Sequence, residues 1–352
     1  MSKPLVAVIV GPSSSQPVYL RGLGGAKALT ALGFLTIHIT SNVFLNRIAT
    51  LALSYFVSRY VHSTGIAKRL LPHTKLTPLL YRSGFIVHPK DVDLIIVSEP
   101  IIVDDLCKFD NAKKVLVFNE VGRSDFLEKL YVATSLDCYD YYVVEESWWA
   151  DLLHTRYGLD KARMLWLPLA YDPEIIEYIP FKAKRYRVSF LGRIGKKDFA
   201  RKKLLEFLTK HGVKINVITN ASIKEYLHYL ANSKIIINAP PYRRKLNVRV
   251  FKALGVGSLL ITEDDEVRKL FMPYKHLLVF RGPEELLELL SSIDENRAES
   301  IAQEGLRRAL NNHTIYHRVY QLLDSIGLVD SYVRHKYQEM LKFLMKRFSL
   351  LP

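Results

Sequence analysis

Not one aspartate or glutamate occurs before Asp91, although ten lysines and arginines precede it. The formal net charge of the whole chain is +15, so this acid-free opening supplies most of the excess. Charge so one-sided favours an anionic partner, whether acidic lipid headgroups, nucleic acid or a phosphorylated substrate. A basic surface of the thermophilic kind is the alternative. Cysteine is nearly missing: Cys107 and Cys138 stand alone, without C-x-x-C or Cys/His spacing. That pattern supports neither a zinc site nor a disulfide framework, and a reducing cytoplasm is the default expectation.

Long apolar runs are missing too. The longest, Ile48 to Val57, falls well short of the ~20 residues a membrane span requires. The opening run ends at Gly11-Pro12 and reads as a first strand rather than a signal peptide. No transmembrane helix is expected, and the chain is expected to be cytoplasmic, with peripheral attachment to the inner face of a membrane as an extension of that reading. Neither a P-loop nor G-x-G-x-x-G is present. His313 and His317 are four apart on a helical pattern but lack a third ligand or an H-E-x-x-H context, so no metal and no cofactor is expected.

What is present is a chain of 352 residues with 49% hydrophobic and 24% charged residues, globular and long enough for two domains. Short apolar runs alternate with helical patterns. In the first half the runs are Leu5–Val10, Phe34–Thr40, Leu94–Val97, Lys114–Phe118, Tyr141–Val144 and Met164–Leu167. In the second half they are Arg187–Leu191, Lys214–Ile218, Ile235–Asn238, Ser258–Thr262 and Leu277–Phe280. Several are apolar throughout rather than alternating, as strands covered on both faces must be. The fold class is therefore α/β, with two Rossmann-like domains of parallel strands facing a central cleft. The proline-rich, basic stretch LPLAYDPEIIEYIPFKAKRY reads as the linker. It divides an N-terminal domain over 1–172 from a second over 185–326, with a final helix over 327–352 packing back toward the first.

Open sheets of this kind bind ligands beyond the carboxyl ends of their strands. The run Arg187–Leu191 leads into GRIGKKDFARKK, with Gly192 and Gly195 in a turn, Arg193, Lys196 and Lys197 beside it, Asp198 as N-cap and Arg201 in the first helical turn. Exposed N–H groups and a positive helix end attract phosphate, which makes a diphosphate clamp one reading and a solvated basic helix start the other. In LNVRVFKALGVGSLLITEDD, Gly255 and Gly257 are either an ordinary helix C-cap or a close-approach turn at a ligand. Gly22, Gly24 and Gly25 stand before a helix after the first strand, as an ordinary loop and N-cap or as a flexible loop that approaches a ligand.

Four segments, YYVVEESWWADLLHTRYGLDKARMLWLPLAYDP, RVSFLGRIGKKDFARKKLLEFL, NVRVFKALGVGSLLITEDDEVRKLF and HTIYHR, together resemble the GT-B glycosyltransferases, in particular the CgeB-like branch of the group 1 enzymes. The resemblance covers roughly residues 85 to 325, and it rests on the order and spacing of the segments rather than on any single motif. It implies that Gly192, Arg193, Lys197, Arg201 and Arg249 hold the diphosphate of a nucleotide sugar, a UDP- or GDP-sugar, and that Gly255 and Gly257 lie beside it. The donor sugar is expected near Glu263, Asp264 and Asp265. One position departs: the glutamate that binds the ribose hydroxyls in the family is Lys252 here, and its retaining partner eight residues upstream is Arg244. An ammonium accepts no hydrogen bond, so the ribose is held differently, the site is unusually cationic, or catalysis has been lost.

An inverting transfer also needs a base to take the acceptor proton. Glu120, in the segment NEVGRSDF after Lys114–Phe118, is the first candidate, its alternative role being a salt bridge to Arg123. Glu99 is the second. Phage DNA β-glucosyltransferases, which share the architecture, carry an aspartate base in a similar setting. Residues Phe44 to Leu71 show helical apolar spacing with basic residues and no acid, as a helix lying in an anionic membrane interface does. An anionic membrane surface or a lipid-linked acceptor is thus the leading expectation for a partner, with nucleic acid as the competitor and a non-catalytic sugar-nucleotide-binding protein as a third reading. Trp148 and Trp149 read as core rather than as a sugar platform.

Overall fold

The computed structural model of the chain describes residues 5–11, 22–40, 73–74, 76, 88–98, 102–118, 137–195, 198–240 and 246–348. The chain divides into two compact units, Met1–Pro168 with Arg318–Glu339, and Leu169–His317 with Met340–Pro352.

The first unit is built on strands β1 (Val6–Gly11), β2 (Leu35–Thr40), β4 (Leu94–Val97), β6 (Lys113–Phe118), β7 (Tyr141–Val144) and β8 (Met164–Trp166). They form one sheet in the order β2-β1-β4-β6-β7-β8, and every pairing is parallel. Strands β3 (His73–Thr74) and β5 (Ile102–Val103) pair separately. Helix α1 (Gly22–Ala31) connects β1 to β2, and α2 (Ser147–Tyr157) connects β7 to β8. A parallel strand must reach its neighbour by a crossover that covers a sheet face; accordingly Leu94, Ile95, Ile96 and Val97 are all without solvent contact. Trp149 is buried in this core, whereas Trp148 is half exposed.

The second unit repeats the pattern with β9 (Tyr186–Leu191), α3 (Phe199–Lys210), β10 (Asn216–Ile218), α4 (Ile223–Ala231), β11 (Ser233–Asn238), α5 (Val248–Gly255), β12 (Leu259–Thr262), β13 (Leu278–Val279), α6 (Pro283–Ser292) and α7 (Glu295–Asn312). Its five strands run parallel in the order β10-β9-β11-β12-β13. Local chemistry sets the helix ends. Ser222 and Glu225 make a reciprocal capping box at α4, and Asp294 accepts the Arg297 N–H at the start of α7, satisfying donors that a helix leaves open. Two further helices close the described chain, α8 (Ile315–Ser325) and α9 (Ser331–Arg347). Among the described residues no helix is long and apolar enough to cross a membrane.

One expectation is overturned. Cys107 and Cys138 are joined in a disulfide, with their Cα atoms 5.4 Å apart. A separation of 31 residues carries no recognisable spacing. The parallel pairing of β6 with β7 nevertheless brings together the two loops that enter them, and each loop contributes one cysteine.

Candidate functional site

In the second sheet the chain order reverses at β9, which has β10 on one side and β11 on the other. Loops leaving the carboxyl ends of two such strands diverge and open a crevice where open sheets bind ligands. The post-strand segments here are Gly192–Gly195 after β9 and Ala239 after β11, and Arg201 of α3 ties them together. Its Nε donates to the Ala239 carbonyl at 2.6 Å and its Nη1 to the Arg193 carbonyl at 3.0 Å. Nη1 also meets Asp198 Oδ1 at 3.3 Å. Arg201 is thus buried and committed to holding the loop in shape. The Arg193 side chain is exposed, and its contribution within the protein is the carbonyl that Arg201 grips. Asp198 closes the loop by accepting the Gly195 N–H at 2.8 Å.

Arg249 reaches the same crevice from the first turn of α5, which Asn247 caps by accepting the Arg249 N–H at 3.0 Å. Its Nη1 donates to Asn238 Oδ1 at 2.9 Å, and Asn238, the last residue of β11, is in turn fixed by Asn247 Nδ2 at 3.0 Å and by donating to Thr262 Oγ1 at 2.9 Å. The Tyr226 hydroxyl lies near enough to act on the guanidinium electrostatically. Phe190 of β9 lies beneath both arginines, 5.5 Å from Arg249 Cζ and 6.0 Å from Arg201 Cζ. Arg249 Nε is buried with no hydrogen-bond partner among the described residues. An unpaired buried donor costs free energy that an incoming acceptor recovers.

Lys252 follows Arg249 by three residues on the same helix and is only 5% exposed. Its ammonium sits 5.4 Å from the Tyr226 ring centre. Burial and the neighbouring Arg249 push its pKa down to about 8, against the pull of Asp172. Arg201 is lowered likewise, by burial and then by Arg249. Arg249 thus acts as a like charge on both Arg201 and Lys252, with Asp198 in contact with Arg201 and Asp172 acting on Lys252 as the opposing charges. A bound anion would relieve that imbalance.

The glycines divide into different roles. A Cβ on Gly192 would collide with Arg249 Nη2, so the bare backbone is what lets the guanidinium lie across the loop. Gly192→Ala is expected to displace Arg249, weakening anion binding by about tenfold or more for a loss near 1.4 kcal/mol. Thermal stability should fall only modestly, by about 1 kcal/mol, because what the displaced side chain gives up is its one bond to Asn238; calorimetric titration beside a melting curve checks both. Gly255 is the last residue of α5, and a Cβ there would strike the Tyr171 ring, while Gly257 (φ 68°) faces Tyr178 and Leu306. These two serve packing and the helix-to-strand turn. Gly24 and Gly25 are buried within α1, which begins at Gly22.

Of the acids after β12, Asp264 is almost fully buried. One oxygen caps the following turn by accepting the Glu266 N–H at 3.0 Å, and Oδ2 has no partner among the described residues. Burial pushes its pKa up to about 7. The folded state thus holds this proton more tightly than the unfolded chain, whose pKa is near 3.8. Its contribution to stability is greatest below that value, declines as pH rises through about 7, and is flat above it. Replacing Asp264 with Asn should remove this slope from the stability-pH curve, by at most about 4 kcal/mol across the window; equal slopes in the two proteins would refute the assignment.

Lys197, Arg244, Glu99, Glu120 and the basic stretch Phe44 to Leu71 lie outside the described residues. Ser98, the residue before Glu99, follows β4 and donates its N–H to the Val10 carbonyl at 2.9 Å. His313 and His317 are buried, His317 bonded to Thr314 and His313 packed on Phe251 and Phe271; among the described residues no group of three or more His, Cys, Asp or Glu side chains could hold a metal ion. Sequence reasoning missed Asn238, Phe190 and Tyr226. Asn238 did leave a signal, as the polar residue that ends an apolar strand.

Residues 180–324 match the family described as Glycosyl transferase-like. No curated protein sequence matches the chain. A glycosyltransferase from Rickettsia africae aligns at 13% identity and TM-score 0.57, over 94% of this chain and 100% of its own. Anabaena Alr3699/HepE in complex with UDP and glucose aligns at 10% identity and TM-score 0.56, over 92% and 100%. An alpha-glucosyltransferase in complex with UDP-glucose and DNA containing an abasic site aligns at 9% identity and TM-score 0.56, over 92% and 99%. The chain has the α/β fold of GT-B glycosyltransferases, with two parallel sheets.

Proposed function

We propose that the chain is a metal-independent glycosyltransferase that moves a sugar from a nucleotide-diphosphate donor to an acceptor hydroxyl. The observation that carries this reading is the under-neutralised trio Arg201, Arg249 and Lys252 at the point where the second sheet changes direction. A diphosphate leaving group gains negative charge as the glycosidic bond to it breaks. Fixed cations in a buried crevice stabilise that charge without reorganising, and they can supply what a divalent ion would otherwise supply. In this reading Arg249, through Nε and its free edge, faces the diphosphate, Lys252 adds charge behind it, and Arg201 holds the shape of the loop beside them. Glu120, with Glu99 as second choice, takes the acceptor proton.

A thermal-shift panel with UDP, GDP and ADP, followed by UDP- and GDP-sugars, tests the donor class. A ligand at 100 times its Kd should add about 2.7 kcal/mol of stability. No shift with any nucleotide diphosphate would end the proposal.

The depressed pKa of Lys252 sets a pH dependence. A bound diphosphate stabilises the ammonium, so binding takes up a proton wherever the free protein has lost it. Donor affinity should therefore be level below about pH 8 and fall about tenfold per pH unit above it until the pKa of the bound form is passed. Lys252→Met should abolish the break, and titration calorimetry at several pH values measures it.

For the acceptor we favour a lipid-linked or membrane-proximal hydroxyl, on the strength of the basic, acid-free opening of the sequence. Co-sedimentation with anionic but not neutral liposomes would support it. Retention on duplex DNA that falls steeply with salt would instead favour a DNA acceptor, a reading kept open by the structural neighbour that holds DNA.

A further inference from the structure

The second unit has a cavity of about 360 Å³ at the other end of its sheet, lined among others by Phe181, Ile235, Ile293 and Ala298. It borders the amino ends of β9 and β11, so a strand length of about 20 Å separates it from the cationic crevice. The size falls within the range of small-molecule sites. Its floor is apolar, with Phe181, Ile235 and Ala298 each under 5% exposed.

The charges around that floor do not balance. Lys184, Arg185, Arg187 and Lys234 line the cavity against Asp294 and Glu295. Both acids are already engaged: Asp294 caps α7 through the Arg297 N–H at 2.9 Å, and Glu295 meets Lys234 Nζ at 2.5 Å. Lys184 is held between the Ala231 and Val256 carbonyls, at 2.6 and 2.9 Å, at the ends of α4 and α5. Arg185 and Arg187 are exposed and have no ion pair within contact distance among the described residues. Arg185 and Arg187 thus remain as the exposed cations of the cavity, beside the capped start of α7.

We propose that this cavity is a second ligand site, built for a phosphomonoester that carries a flat apolar body, of the class of a nucleoside monophosphate. A phosphomonoester bears nearly two negative charges near neutrality, which suits the two exposed guanidiniums. The guanidiniums of Arg185 and Arg187 supply forked donors suited to phosphate oxygens, and half-buried Ile293, beside the buried floor of Phe181 and Ile235, offers an apolar contact for the edge of a base. The site is separate from the proposed transfer crevice, so its occupant is an effector rather than a reactant.

Calorimetric titration of the full chain with adenosine 5′-monophosphate tests this, with inorganic phosphate and UDP as comparison ligands. The wild type should bind the monophosphate about tenfold or more tightly than inorganic phosphate, and Arg185→Glu with Arg187→Glu should lower that affinity about tenfold or more. Because both arginines are exposed, the double variant should melt as the wild type does. Any UDP affinity should survive in it, while Arg249→Ala should leave the monophosphate affinity intact. Equal affinity for phosphate and the monophosphate would overturn the proposal. So would monophosphate binding that is lost with Arg249→Ala yet kept in the double variant, or no binding at millimolar concentration. The measurement does not depend on donor binding, so failure of the transferase reading would leave its outcome interpretable.

Discussion

Arg249→Ala is expected to lower kcat/KM for sugar transfer by about 10²–10³-fold, the range seen when one preorganised donor to a developing anion is removed. The effect should be large because the residue is held by three features: the Asn247 cap, the Asn238 carboxamide and the Phe190 ring below it. Its buried Nε has no partner among the described residues, and in the proposed function that donor is the one the diphosphate would satisfy. Arg249→Lys should rescue little, since a single ammonium cannot reproduce a fork that holds Asn238 while facing a diphosphate. A purely structural role would lower stability and activity together. The transfer role separates them, because removing Arg249 also removes a repulsion from Lys252 and Arg201. Melting temperature should then hold within a few degrees, and the pH break assigned to Lys252 should move upward. If donor affinity in the variant matches the wild type, the crevice does not bind the diphosphate.

The strands were legible because burial on both faces writes itself as an unbroken apolar run: Ile235, Ile236 and Ile237 sit at the centre of the second sheet with almost no exposure, and no polar residue interrupts them. The two-residue pair β3 and β5 is too short to leave any pattern. The basic character of the site was also readable, but not which cations converge. Arg193 and Arg201 stand eight positions apart in one segment, yet the first is exposed and the second buried; the difference is made by the Ala239 carbonyl, which lies far along the chain. Arg249 and Lys252 could be placed on one face of a helix from their spacing. That Gly192 leaves room for a guanidinium from α5 could not, since it depends on two strands being neighbours in space.

Reduction of the Cys107–Cys138 disulfide is expected to cost the first unit about 4 kcal/mol, the loop-closure value for 31 residues. For a unit of this size that corresponds to a fall of about 8–15 °C in melting temperature. Cys107 is exposed, so a reductant reaches the bond without prior unfolding. The unit should remain folded afterwards, because other contacts hold the same loops. Lys114 Nζ donates to the Phe109 and Ala112 carbonyls at 3.2 and 2.9 Å, and its backbone N–H donates to Asp140 Oδ2 at 2.7 Å. Asp105 accepts the Leu76 N–H at 2.8 Å. The second unit has no cysteine, so its transition serves as an internal reference in the same scan. Calorimetry with and without reductant, repeated on Cys107→Ser with Cys138→Ser, should move one transition and leave the other in place. Coincident curves would mean that the two cysteines are not joined in the folded protein. The loop bound by the bridge includes β6, whose carboxyl end leads to Glu120. A tether at the amino end fixes that strand against β7, so any effect of reduction on the proposed transfer should appear in kcat and leave the donor affinity proposed for the second unit unchanged.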